Sequence, residues 1–105
     1  MNTERLSQLL EFLAEDPHDA FNLYAVATEY RTDHPDQALI YFEKLLTEHP
    51  DYVPTYYHAA QLYLDRDERD RAEQVYREGI QQATAQNEAL LLRELQNAYN
   101  EFLFE

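Results

Sequence analysis

The side chains best suited to bind a metal ion or to transfer protons near neutral pH are the four histidines. His18, His34 and His49 each lie beside a proline in a short acidic segment. A helical zinc site places two histidines four residues apart, and the chain contains neither His-x-x-x-His nor His-Glu-x-x-His. The spacing therefore predicts solvated or capping histidines and no metal site. One functional hypothesis, ranked below the two given later, is a metal- or ligand-responsive protein that uses these turn histidines.

The chain contains few residues suited to other kinds of catalysis. Paired acid–base work needs two carboxyl groups in one cleft with separated pKa values, whereas most of the 21 acidic residues fall on polar helix faces or in turns. The one serine, Ser7, has no histidine near it in the sequence. There is no cysteine, and a single glycine cannot form a glycine-rich phosphate loop. We therefore expect no catalytic residues, no cofactor and no enzymatic activity.

The length and charge of the chain narrow the class of partner. A chain of 105 residues forms one domain at most. Its formal net charge of -13, with Lys44 as the single lysine, opposes binding to phosphate backbones and favours a basic protein partner or solubility at high salt. No apolar stretch approaches the ~20 residues of a membrane span, and no secretory signal is recognisable. We expect a cytoplasmic protein that binds neither nucleic acid nor membranes.

Apolar residues recur at helical spacing in segments that end at Asp-Pro or His-Pro pairs or at charged turns. The abundance of Ala, Leu, Glu, Gln and Arg also favours helix. Six helices are predicted, with bounds near 3–15, 19–31, 37–48, 53–64, 68–83 and 87–104. Asp67 is the predicted N-cap of the fifth helix. The short connections favour antiparallel neighbours.

One stretch of the sequence occurs twice, at an interval of 33 to 34 residues. Each copy places four residues on one face of a helix and an alanine and an aromatic residue on the next helix. The first copy comprises Leu23, Val26, Ala27, Tyr30, Ala38 and Phe42, and the second comprises Tyr56, Ala59, Ala60, Tyr63, Ala72 and Tyr76. A repeat of this length is typical of helical hairpins that stack in a row and bury their apolar faces on each other.

On these residues the chain resembles the tetratricopeptide repeat family. The family signature is aromatic-x-x-Leu-Gly-x-x-Tyr, then Ala-x-x-x-Phe, a small residue and a proline. The chain looks similar to small, stand-alone bacterial members of this family. The resemblance implies an all-α fold, an α-α superhelix of antiparallel helix hairpins with a C-terminal capping helix. It implies a single domain over residues 1–105, with a half-unit helix at 3–16, a first unit at 19–50, a second unit at 53–84 and a capping helix at 87–104.

Two details of the repeat lead to structural expectations. The turn of the first copy is one residue shorter, since Tyr30 to Ala38 is eight positions and Tyr63 to Ala72 is nine. Gly79 stands where the signature has its small residue, although glycine costs about 1 kcal/mol in a helix interior relative to alanine. We therefore expect two helices to pack closely at Gly79.

The resemblance implies non-enzymatic binding of a peptide or helix of a partner protein in a concave groove. The second face of each leading helix would line this groove. Matched position by position, these residues are Phe21, Tyr24, Thr28 and Arg31 in the first unit and Tyr57, His58, Gln61 and Leu64 in the second. We expect Tyr24 and Tyr57 to be neighbours along the groove. The alternative is that Phe21 and Tyr24 simply pack on the first helix.

The last predicted helix carries apolar residues on more than one face, whereas a capping helix normally turns a polar face to solvent. Leu91, Phe102 and Phe104 are therefore candidates for self-association. The second functional hypothesis is a structural homo-oligomer, such as a homodimer, that assembles through this helix. The alternative is that the extra apolar residues complete the core of a short array.

Overall fold

The computed structural model describes residues 2–105, which form six α-helices and contain no β-strand. The helices are α1 (Thr3–Glu15), α2 (Ala20–Tyr30), α3 (Pro35–Glu48), α4 (Pro54–Asp65), α5 (Arg69–Ala85) and α6 (Ala89–Leu103). The predicted all-α fold is confirmed, and every helix bound lies within two residues of its predicted position. The chain divides into two compact units, here called unit 1 (through Tyr52) and unit 2 (from Val53).

Side-chain caps fix where α1 and α2 begin. The Asn2 side chain accepts a hydrogen bond from the Arg5 amide at 2.9 Å, and the Asp19 carboxylate accepts one from the Asn22 amide at 2.8 Å. Each cap satisfies an N–H group that has no partner inside its own helix. The Asp16 amide donates to the Phe12 carbonyl at 3.1 Å and closes the last turn of α1.

Proline begins both α3 and α4. Pro35 and Pro54 occupy the first helical position, where the missing N–H is not needed and the fixed φ angle already suits a helix. The sequence predicts that α3 starts at Gln37, because the residues around Pro35 have the composition of a turn. The structure corrects this start by two residues.

The connection between α4 and α5 depends on one residue in the left-handed conformation. Asp67 has a φ of 60°. The Glu68 amide donates to the Tyr63 carbonyl and the Asp67 amide to the Leu64 carbonyl, both at 2.9 Å, which is the Schellman pattern of a helix end. Asn87, with a φ of 58°, makes the same turn between α5 and α6. The prediction that Asp67 caps α5 is wrong, since Glu68 is the N-cap residue and makes no side-chain cap bond.

In unit 1, α2 packs on both α1 and α3. The three helices contribute unequally to the core. Unit 1 buries Leu13, Leu23, Val26, Ala27, Ala38, Leu39, Phe42 and Leu45. Leu13 is the one buried residue of α1, whereas four of these residues belong to α3. The first helix is therefore held less deeply than the other two.

In unit 2, the three helices α4, α5 and α6 all contact one another. Their shared core includes Tyr56, Ala59, Ala60, Tyr63, Ala72, Val75, Tyr76, Ala83, Leu95, Ala98 and Phe102. A methyl group built on Gly79 would lie 2.6 Å from the Tyr56 Cβ and 3.2 Å from the Leu95 Cδ1. No real Cβ tolerates the shorter distance, so the expected close packing at Gly79 is confirmed.

Candidate protein-binding site

The first half of the candidate site lies on α2. Phe21, in the first turn, is 66 % exposed, and Arg31, just after the last turn, is also exposed. The Thr28 hydroxyl donates back to the Tyr24 carbonyl of its own helix at 2.9 Å. This local bond satisfies the Thr28 donor. An exposed aromatic ring and an exposed guanidinium thus lie near opposite ends of α2.

Tyr24 is half-buried inside unit 1. Its ring centroid lies 6.2 Å from that of Phe42 in an edge contact and 5.5 Å from that of Tyr52. Burial raises the pKa of the Tyr52 phenol, and the charge of Asp19 acts in the same direction. Sequence reasoning missed Tyr52 because it lies in a connection and follows no helical period. The contacts of Tyr24 show that its ring packs on α3 and on the segment after it.

The second half of the candidate site lies on α4. Tyr57 and His58 are both half-buried, and their rings meet edge to face at 5.7 Å. Leu64, near the end of the helix, is also half-buried. These three side chains give α4 an apolar and aromatic surface that is partly open. The expected proximity of Tyr57 to Tyr24, which belongs to the other unit, stays a prediction.

Gln61 is held by a core residue, Tyr76, to which no sequence pattern connects it. Its side-chain amide donates to the Tyr76 hydroxyl at 2.7 Å, and the Tyr76 side chain is fully buried in α5. Burial raises the pKa of Tyr76 to about 12, although the hydrogen bond from Gln61 acts against this shift. Gln61 therefore satisfies a buried hydroxyl and fixes the α4 surface relative to α5.

The three predicted self-association residues of α6 differ in exposure. Phe104 is 89 % exposed and Leu91 is half-buried. Phe102 is only 6 % exposed, because its ring stacks on Tyr99 at 6.0 Å and the guanidinium of Arg69 lies 4.5 Å from its centroid. Phe102 thus belongs to the core of unit 2 and not to a surface open to a second copy. This corrects the assignment of Phe102.

Two of the turn histidines tie the α1–α2 connection to the end of α3. His18 Nδ1 lies 2.8 Å from Glu48 Oε1, and the His49 ring hydrogen-bonds the His18 carbonyl. The hydrogen bond from His18 lowers the pKa of the Glu48 carboxyl. Among residues 2–105, no group of three or more ligand-type side chains lies close enough to hold a metal ion. The bonds of His18 and His49 link two segments of unit 1.

The repeat pattern and the hairpins agree with comparisons to known proteins. A family model of the tetratricopeptide repeat matches residues 33–95, which is more than half of the chain. The chain belongs to the tetratricopeptide repeat family. The predicted family and the predicted helical-repeat fold class are both confirmed.

Two solved tetratricopeptide repeat domain proteins from Salinibacter ruber resemble this chain. A solution NMR structure is 41 % identical, with 83 % of this chain and 89 % of the other covered and a TM-score of 0.76. A crystal structure is 40 % identical, with 80 % and 96 % covered and a TM-score of 0.76. No curated protein matches this chain.

Tetratricopeptide repeat proteins are generally protein-interaction modules, and they are typically not enzymes. In the described part of this repeat protein, no helix combines the length and the apolar character needed to cross a membrane. The family thus gives the general class of activity.

Proposed function

We propose that this tetratricopeptide repeat protein is a non-enzymatic adaptor that binds a peptide or helix of a partner protein in a groove lined by α2 and α4. The main support is that each of these leading helices keeps aromatic surface open. Phe21 is 66 % exposed on α2, and Tyr57 stays partly open on α4. Aromatic side chains dominate the energetics of protein interfaces, because they bury a large area with few rotatable bonds.

The groove residues divide into contacts and supports. Phe21, Tyr57 and Leu64 would supply apolar contact area, and Arg31 would supply hydrogen-bond donors. Three further groove residues make contacts within their own units that support the surface. Tyr24 packs on Phe42 and Tyr52, the Thr28 hydroxyl bonds its own helix, and the Gln61 amide bonds Tyr76. Supports of this kind orient the contacts, and their loss would weaken binding through local rearrangement.

The proposed partner is basic, and the proposed compartment is the cytoplasm. The net charge of -13 steers a positive segment towards the chain and repels an acidic one. The absence of cysteine fits a reducing compartment.

A photo-crosslinking amino acid placed at Phe21 or at Tyr57 tests the groove directly. Both positions should capture the same partner in the native host after illumination. Ile40 on α3 is 50 % exposed and is the matched control position, at which no such product should form. Crosslinks to that partner from all three positions would reject the groove.

Replacement of Tyr57 by alanine tests the contribution of α4. The Tyr57→Ala variant should retain the circular dichroism of the wild type and lose the captured partner. Unchanged recovery of the partner by a folded variant would rule out Tyr57 as a contact.

The second candidate function is a structural homo-oligomer that assembles through α6. The near-complete exposure of Phe104, at 89 %, supports it. Light scattering at several protein concentrations should then show a dimer, and Phe104→Asp should dissociate it. A monomer at every concentration eliminates this candidate.

A further inference from the structure

The helix α1 corresponds to α3 one repeat later. Pro17 lies 33 residues before Pro50, and the same shift places Phe12 opposite Leu45. Both helices end just before a proline, and the next helix after each is the leading helix of a hairpin. The exposure of equivalent side chains can therefore be compared directly.

The face that α3 buries is open on α1. On α3 this face includes Ala38, Phe42 and Leu45, all fully buried, beside the buried Leu39. Its counterpart, here called the α1 stripe, consists of Arg5, Leu9 and Phe12. Phe12 is 55 % exposed and Leu9 is half-buried. The α1 stripe thus exposes apolar surface at positions where the repeat pattern otherwise builds core.

The difference follows from what each helix packs on. The helix α3 pairs with α2, the leading helix of its own hairpin. The helix α1 contacts α2 through a different side, on which Leu13 is buried. Arg5, at the start of the stripe, pairs with Glu29 of α2 at 3.7 Å, which leaves Leu9 and Phe12 as the open part. The stripe therefore keeps apolar surface open on α1.

A line of carboxylates runs beside the stripe. Glu4, Glu11 and Glu15 share one side of α1 at helical spacing, on the side of the stripe away from Leu13. All three are exposed, and none forms an ion pair with any residue in the range 2–105. No lysine or arginine occurs in positions 6–30. Apart from Arg5, which pairs with Glu29, no basic residue of α1 or α2 offsets the charge of these three carboxylates.

We propose that the α1 stripe binds an amphipathic helix of another protein, one with an apolar face and flanking lysine or arginine residues. The apolar face would cover Phe12 and Leu9, and the cations would pair with Glu11 and Glu15. A second copy of this chain is a poor occupant, because its own net charge of -13 would meet carboxylates of like sign. This surface consists of residues of α1, none of which belongs to the groove of the proposed function.

The test uses a synthetic 18-residue helical peptide with leucines at helical spacing on one face and lysines on the other faces. A scrambled peptide of equal composition and a twin with glutamate for lysine are the comparison probes. Fluorescence anisotropy should show binding of the first peptide at least tenfold tighter than of either comparison probe. Backbone NMR shifts should cluster in residues 4–16, and affinity should fall as salt is added.

Two matched pairs of variants locate the surface. Phe12→Ser should weaken binding about tenfold, whereas Ile40→Ser, which also removes an exposed apolar side chain from unit 1, should change it less than twofold. The double variant Glu11→Lys and Glu15→Lys should weaken binding more than tenfold. The control double variant, with the same charge change, carries lysine at the exposed positions Glu94 and Glu101 of α6 and should have a smaller effect.

Several results would overturn this proposal. Equal binding of the scrambled peptide, or equal effects of the matched variants, would show a general attraction between opposite charges. Shifts centred on Tyr57, together with loss of binding in Tyr57→Ala, would move the peptide to the groove and leave the proposed function intact. A dimer that dissociates on Phe12→Ser would assign the stripe to a second copy. Phe12→Ser should remain folded by circular dichroism, because the side chain is already half in solvent.

Discussion

The two helical hairpins, α2–α3 and α4–α5, carry the same signature and close it differently. In unit 2 the turn contains Asp67 in the left-handed conformation, with the Schellman bonds around it. In unit 1 the His34 amide donates to the Tyr30 carbonyl at 2.8 Å, and Pro35 starts the next helix at once. No residue between α2 and α3 has a positive φ. The one-residue difference in repeat length is therefore the left-handed residue itself.

The outer helices, α1 of unit 1 and α6 of unit 2, differ in the basic side chains that hold them. Unit 1 contains eleven acidic and three basic residues, and unit 2 contains ten and five. Unit 2 uses arginines to hold α6, since Arg69 covers the Phe102 ring and Arg77 donates to the Tyr99 hydroxyl at 3.0 Å. The helix α1 packs on α2 through Leu13, with one ion pair from Arg5 to Glu29 and one hydrogen bond from the Asn22 side chain to the Phe12 carbonyl. Arginine side chains thus hold the outer helix of unit 2, whereas unit 1 carries the larger excess of acidic residues.

The largest expected effect comes from Gly79 in unit 2. Leucine at this position would meet Tyr56 and Leu95 and should destabilise the protein by about 1–3 kcal/mol. Urea unfolding measures the loss. Leu45 occupies the same repeat position in unit 1 and is fully buried, so Leu45→Gly should also destabilise the protein, through a cavity. A Gly79→Leu variant with wild-type stability would show that the two units pack alike at this position.

The second prediction concerns stability at alkaline pH. The Tyr76 pKa is raised from 10.0 to about 12, so between these values the unfolded chain loses the phenolic proton while the folded protein keeps it. Stability therefore falls by about 2 kcal/mol across this window, at 1.4 kcal/mol per pKa unit. Tyr76→Phe should remove most of this fall. Thermal melts at pH 9 to 12 provide the measurement.

The equivalent position in unit 1 is the control for the second prediction. Phe42→Tyr adds a hydroxyl at a fully buried position and should destabilise the protein at neutral pH by about 1 kcal/mol or more. Tyr76→Phe should cost about 1 kcal/mol at neutral pH, because Gln61 loses its acceptor. If stability falls equally at high pH in the wild type and in Tyr76→Phe, the Tyr76 phenol is not the cause of the fall.

The third prediction concerns the strained backbone of Asp67, which has a positive φ angle. Asp67→Gly should stabilise the protein by about 0.5 kcal/mol, since the relief at φ 60° exceeds the extra backbone entropy of glycine. In unit 1, His34 has a φ of -137°, so His34→Gly should give no such gain. Differential scanning calorimetry compares the two. A loss of stability in Asp67→Gly would show that the aspartate side chain matters more than the backbone angle.

The smallest expected effect concerns Glu48 in unit 1. Its pKa is lowered by His18, so the carboxylate stabilises the folded state above the unfolded pKa of about 4.5 and this contribution is lost as pH falls through the lower folded value. Glu48→Gln should flatten the acid limb of the melting temperature. The effect is small because the pair is exposed to solvent. Glu105→Gln in unit 2 is the comparison, since Glu105 pairs with Arg69 at 3.1 Å.

The sequence by itself determined the helices, the two hairpins and the family. These features follow from the local period of apolar residues and from fixed signals such as Pro17 and Pro50, which act within a few residues. The small residue at Gly79 also indicated a close approach, which the structure confirms. Residues of the candidate groove could be placed on α2 and α4 for the same reason.

The tertiary structure decided which of these side chains are open. The helix α6 carries apolar residues on more than one face, so the sequence period does not show which face packs on α5. In the structure Phe102 is buried and Phe104 is exposed. Gln61 found its partner fifteen residues away in Tyr76. Exposure and hydrogen-bond partners of this kind depend on how one helix is rotated against the next. That rotation is set by the summed packing of all the helices in a unit, and no local pattern encodes it.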